Sequence, residues 1–180
     1  MAGWRGADLT RIERRSAPRL GASKPPAASG ALLRELRVFV LPWRTLTIGI
    51  DGRMGAGKST LGRFIAWQLG MPLIETDMWM HRRHLPIGYR YSELAQIVRA
   101  RRADERPTII EGVKLLETLE RIDVRCDFLI WLRSNEDPTS EEELSEILRS
   151  GTRVANVESY IRSYDPESHA SRVLKIVPAE

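Results

Sequence analysis

Residues 48–60 read "IGIDGRMGAGKST". A short apolar run passes directly into glycines, a lysine and two hydroxyls. Gly52, Gly57, Lys58 and Ser59 satisfy G-x-x-x-x-G-K-[ST], the phosphate-loop pattern. A phosphate group needs several N–H donors converging on it, and only a tightly wound backbone offers them. Gly52, Gly55 and Gly57 tolerate the positive φ angles and close main-chain approach that such winding requires. The loop then enters a helix, whose unpaired first N–H groups and dipole favour an anion. On this reading Gly52, Gly55, Ala56, Gly57, Lys58, Ser59 and Thr60 bind a nucleotide. Lys58 reaches its β- and γ-phosphates, and the Ser59 hydroxyl is a ligand for Mg²⁺.

The flanks agree with the loop. "TLTIGI" (45–50) reads as a strand before it. "KSTLGRFIAWQLG" (58–70) reads as a helix after it, with Leu61, Ile65 and Leu69 on one face and Gly70 as its stop. Further strands are expected at 72–76, 107–112, 127–133 and 172–178. Helices are expected at 31–40, 93–103 capped by Ser92, 114–122, 140–151 and 154–164. Short buried strands alternating with helices predict an α/β three-layer domain of the P-loop NTPase type. Its five-stranded parallel sheet carries helices on both faces.

Composition limits the alternatives. Hydrophobic residues make up 42% and charged residues 29% of 180 residues, enough for one buried core. Residues 1–44 hold 9 Lys+Arg and 3 Asp+Glu, a balance of +6, and the remaining residues hold 19 and 21, a balance of −2. The basic character belongs to the N-terminal region, so nucleic-acid binding by the core is not expected. Residues 1–30, rich in Ala, Gly, Pro, Ser and Arg, read as a disordered basic tail. Residues 31–44 read as a helix on the domain edge plus a linker, and 45–180 as the P-loop domain. No apolar run approaches the roughly 20 residues that span a bilayer, and a lone cysteine suits a reducing compartment. A cytoplasmic protein is the expectation.

A phosphate loop specifies a nucleotide and not a reaction. The N-K-x-D segment of guanine-specific switches is absent from the sequence, as is the apolar run ending in Asp-Glu of larger ATPases. Present instead are two carboxylates at strand ends: "ETD" delivers Asp77 and "IIEG" delivers Glu111. In open parallel sheets, ligands sit beyond the C-terminal strand ends. One carboxylate there can orient Mg²⁺, and the other can take the proton of an attacking hydroxyl. Asp77 as a helix N-cap and Glu111 as a solvated strand end are the plainer alternatives.

"GIDGRMGAGKSTL", "ETDMW" and "PTIIEGVKLLETLERIDVRCDFLIWLRS" together resemble the uridine kinase group of P-loop kinases, as does "ESYIRSYDPESHASRVLKIV" near the C-terminus. The likeness runs over roughly residues 45–177 in element order. It implies an ATP- and Mg²⁺-dependent phosphotransferase acting on a hydroxyl of a small acceptor, with a nucleoside the leading candidate. It implies Lys58 and Asp77 as catalytic residues, Asp77 being the base, and Ser59 and Glu111 on the metal side. Lid arginines would be Arg149 and Arg153, with Arg133 a further candidate. The chain departs from the group where Asp77 and Glu111 are separated by only 33 residues (78–110), so the nucleoside-recognising insertion is reduced. The alternative of another class is a nucleotide-binding protein or ATPase with no dedicated acceptor.

"MHRRHLPIGYRY" (80–91) follows Asp77 and should line the acceptor side. Arg82, Arg83 and Tyr89 are the candidate acceptor contacts there, against a solvated basic loop. His81 and His84 lack the further ligands a zinc site needs. Trp67, Trp79 and Trp131 read as core or pocket wall, and Cys126 as a buried, inert thiol.

Overall fold

The computed structural model describes residues 29–41, 44–81, 85–134 and 137–175. The expected tail (but for its last two residues), the end of the last strand, and Arg82, Arg83 and His84 lie outside the described residues.

Helix α1 (Ser29–Val40) precedes strand β1 (Thr47–Gly52) and helix α2 (Lys58–Leu69). Strand β2 (Leu73–Glu75) and a single 3₁₀ turn (Thr76–Trp79) lead to α3 (Tyr91–Ala103) and β3 (Thr108–Glu111). Then come α4 (Leu115–Arg121), β4 (Phe128–Arg133), α5 (Glu141–Arg149), α6 (Arg153–Tyr164) and β5 (Arg172–Lys175). The strands pair in the order β2-β3-β1-β4-β5, every pair parallel. This is the expected five-stranded parallel sheet.

Both sheet faces are apolar because neighbouring residues alternate between them. Ile48, Ile50, Ile109, Phe128, Ile130 and Leu132 pack on one side with α1 and α2. Ile74, Ile110 and Leu129 pack on the other with α3 and α4. The chain therefore leaves β1 toward one face and leaves the adjacent β3 toward the other. That divergence opens a crevice at the C-terminal ends of these two strands. Register levels the crevice: Ile50 pairs with Glu111, and Glu75 pairs with Glu111.

Several local expectations need correction. The expected N-terminal helix is present, and it also supplies core: Leu32, Leu36 and Val40 pack with residues of β1 and α2. The Phe39 ring lies 5.1 Å from that of Phe128, and Glu35 pairs with Arg172 of β5 at 2.7 Å. Ser92 does not cap α3, which begins at Tyr91, two residues earlier than expected, with Arg90 at its N-cap position and no side-chain cap. The entry is set by backbone instead, with Arg90 N donating to Trp79 O at 2.9 Å and Leu94 N to Arg90 O at 3.1 Å. Trp131 is core, but Trp67 is 77% exposed. At 100° per residue, Trp67 falls some 200° from Ile65 and so points away from the sheet. The caps of the last two helices are side chains: Ser140 accepts from Glu143 N, and Thr152 accepts from Ala155 N.

Candidate active site

The phosphate loop joins β1 to α2. Gly55 (φ 77°) and Gly57 (φ 87°) take the left-handed conformations that the winding requires. Ala56 is buried in the core beneath, so its side chain anchors the loop while its backbone stays above. Lys58 lies folded back on the loop, its Nζ donating to the Arg53 carbonyl at 2.6 Å. Burial lowers the Lys58 pKa, and the negative charges of Asp51, Glu111 and Asp77 oppose that shift.

The Ser59 hydroxyl donates to Glu111 Oε1 at 2.8 Å. The end of β3 thus meets the start of α2, bringing the two expected metal-side groups into contact. Burial is the main cause raising the Glu111 pKa, and the Ser59 hydrogen bond and Lys58 charge pull it back. Gly112 follows for a steric reason: a Cβ there would sit 1.8 Å from Thr76 Oγ1. The "EG" pair is therefore a carboxylate followed by the only residue that lets β3 end against the 3₁₀ turn.

A cleft of about 340 Å³ lies over these groups. Gly55, Gly57, Lys58, Ser59, Thr60 and Glu111 line its phosphate side, and Asp77 and Arg153 also face it. Met80, Ile87 and Val113 give it an apolar wall. The 80–91 stretch was expected on the acceptor side for its basic and tyrosine residues, and its apolar Met80 and Ile87 were not singled out; Val113 joins them from the separate loop between β3 and α4. Asp77 is exposed at the first turn after β2, as its strand-end position required.

The other expected contacts fare differently. Tyr89 is a correction: it is 3% exposed, does not line the cleft, and donates its hydroxyl to the Val113 carbonyl at 2.8 Å. It braces the wall from behind, and burial raises its pKa. Arg153 reaches the cleft from α6, whereas Arg149 turns back to the Ser145 carbonyl at 3.1 Å. Arg133 pairs with Glu167. Cys126 is held as a thiol by burial, its pKa pushed up to about 12.

Two buried polar contacts beneath the loop were not anticipated. Asp51, fully buried at the end of β1, accepts from its neighbour Gly52 N at 2.7 Å, from Leu115 N at 3.2 Å and from the Tyr160 hydroxyl. Its one sequence signal was an acid inside an otherwise apolar strand. Arg53 makes a two-pronged contact to Glu158, at 2.7 and 2.9 Å, and pairs with Asp137 at 3.1 Å. Nothing local in the sequence marks that pairing.

Comparison with known proteins fits this geometry. The family model for shikimate kinase matches residues 54–88, which run from the phosphate loop through Asp77 to the apolar wall. The shikimate kinase of Rhodopseudomonas palustris is 38% identical over 60 residues, 33% of this chain and 29% of that protein. The shikimate kinase of Symbiobacterium thermophilum is 31% identical over 99 residues, 48% of this chain and 57% of that protein. The chain spans less than two thirds of the length of either relative. A solved structure of a "Possible Uridine Kinase" from Bacillus stearothermophilus superposes with a TM-score of 0.52 at 16% identity, covering 81% of this chain and 98% of that one. At that identity the likeness concerns architecture: a five-stranded parallel sheet with helices around it.

Proposed function

We propose that this protein is an ATP-dependent kinase that phosphorylates a hydroxyl of a small acceptor. The observation that carries the reading is a single cleft lined by Lys58, Ser59 and Glu111 on one side and by the exposed carboxylate of Asp77 on the other. A phosphate site needs no second, exposed carboxylate to bind a nucleotide. Transfer to an alcohol does need an acceptor for the alcohol proton.

In the proposed reaction the loop amides and Lys58 hold the β- and γ-phosphates. The acceptor oxygen forms a bond to the γ-phosphorus as the bond to the β–γ bridging oxygen breaks. The hydroxyl proton passes to Asp77, and ADP leaves. Arg153 is the proposed lid group that offsets negative charge on the transferred phosphoryl group. Ser59 and Glu111 supply the hard oxygen donors that suit Mg²⁺, which would neutralise the phosphates when bound. ATP supply places the work in the cytoplasm on this reading.

For the acceptor, the sequence match favours shikimate or a similarly compact hydroxylated carboxylate over a nucleoside. The match covers the acceptor-side residues themselves, whereas the uridine kinase likeness is one of fold. The short Asp77–Glu111 interval agrees, since a nucleoside needs more enclosing chain.

The test is transfer of label from γ-labelled ATP with Mg²⁺ to shikimate, gluconate and uridine in parallel. Labelled phosphoshikimate is expected. Labelled uridine phosphate would return the acceptor to the nucleoside class. ADP formation with no labelled product from any acceptor would favour an ATPase without a dedicated acceptor.

A further inference from the structure

Arg53 occupies the first variable position of the phosphate loop, where its side chain and its carbonyl face different partners. The carbonyl accepts from Ala56 N at 3.3 Å and from Lys58 Nζ at 2.6 Å. It therefore organises the turn and seats the lysine that would meet the phosphates. The side chain leaves the loop and is gripped by Glu158 of α6 and by Asp137, which follows β4. Glu158 is 2% exposed. A two-pronged arginine–carboxylate pair with a buried acid fixes direction as well as distance. The same helix carries Arg153 in the cleft, and its Asn156 accepts from Ile87 N at 2.9 Å on the apolar wall.

We propose that Arg53 and Glu158 are positioning residues that lock the phosphate loop to α6, setting where Lys58 stands relative to Arg153 and the acceptor wall. This rests on the nucleotide-binding reading above and goes beyond it. It assigns to a loop position that the phosphate-loop pattern leaves free a specific partner 105 residues away. A solvated arginine at this position would remove this direct tie between the loop and α6. With the clamp, the proposed coupling runs from α6 through the Arg53 side chain to its carbonyl and the Lys58 seat.

The test separates positioning from simple stabilisation. ATP affinity is measured by calorimetry and stability by thermal unfolding, for the wild-type full chain, Glu158→Gln, Arg53→Met, Glu158→Leu and the double variant Arg53→Met/Glu158→Leu. The double variant replaces a part-buried ion pair by apolar side chains, removing both charges together so that neither is left without its partner. The expected result is a roughly tenfold loss of ATP affinity in each single variant, with the two changes far from additive when combined. The double variant should regain most of the wild-type melting temperature while its ATP affinity stays low. Glu158→Gln, the mildest change, keeps the test open if a stronger variant fails to fold. Wild-type ATP affinity in Glu158→Gln and in the double variant would overturn the proposal, as would fully additive losses. A wild-type chain that binds no ATP would instead overturn the functional reading beneath it.

Discussion

The Tyr160 hydroxyl of α6 donates to the Asp51 carboxylate at the end of β1, 109 residues away in the chain. The same hydroxyl accepts from Leu116 N at 3.1 Å, and Asp51 accepts from Leu115 N at 3.2 Å. Helix α4 has no side-chain cap of its own, because Lys114 stands at its N-cap position in a left-handed conformation. Asp51 and Tyr160 therefore cap it from elsewhere in the fold. The floor of the phosphate loop, the helix after β3 and α6 meet at one buried carboxylate.

Burial raises the Asp51 pKa from 3.8 to about 6, against the pull of Tyr160, Gly52 and Lys58. The folded chain then holds this proton at pH values where the unfolded chain has released it. Its contribution is full below about pH 4 and is lost as pH rises through about 6. A shift of that size corresponds to about 3 kcal/mol. Asp51→Asn removes the titration and leaves Leu115 N facing an amide. The stability of wild type minus that of Asp51→Asn should therefore be largest near pH 4 and shrink toward pH 7. Urea unfolding at four pH values measures it, and a pH-independent difference would show that Asp51 does not titrate in this range.

Tyr160→Phe should cost about 1–3 kcal/mol, since it strips a donor from a buried carboxylate and an acceptor from Leu116 N. Its cost should be smallest where Asp51 is protonated and neutral. Equal cost at pH 4 and pH 8 would argue against a charge-dependent contact.

Gly112→Ala should lower stability by about 1–3 kcal/mol, because its Cβ would lie 1.8 Å from Thr76 Oγ1. Relief requires moving the 3₁₀ turn that carries Asp77. Pairing Gly112→Ala with Thr76→Ala should recover much of the loss, and a failure to recover would place the clash elsewhere.

Asp77→Asn should leave ATP affinity within a few-fold of wild type and cut acceptor phosphorylation by about a hundredfold or more. Lys58→Ala should instead weaken ATP binding itself, since on the proposed reading the ammonium serves the phosphates and not the acceptor. Intact transfer in Asp77→Asn would remove it as the base. The two variants compared by calorimetry and by label transfer separate the halves of the cleft.

Trp67→Ser should change stability by no more than about 0.5 kcal/mol, because the side chain is 77% exposed. Thermal unfolding checks it, and a larger loss would mean that something covers the ring in solution.

Some features of this protein were local enough to be legible in its residues. The phosphate loop is one, because dihedral freedom and consecutive N–H donors belong to neighbouring residues. The alternation of strands and helices is another, set by apolar period and by stops such as Gly70, which takes φ 62° as expected. Asp77 and Glu111 were legible as strand ends, and their convergence followed from the parallel sheet. Other features depended on distance across the fold. That Ser59 touches Glu111, that Tyr89 faces the interior, and that Met80, Ile87 and Val113 make one wall follow from packing between loops. The clearest cases are Arg53 with Glu158 and Asp51 with Tyr160. A charged residue on a helix reads the same whether it meets water or a buried partner, and only the reach of α6 side chains to the end of β1 and the loop after it decides which.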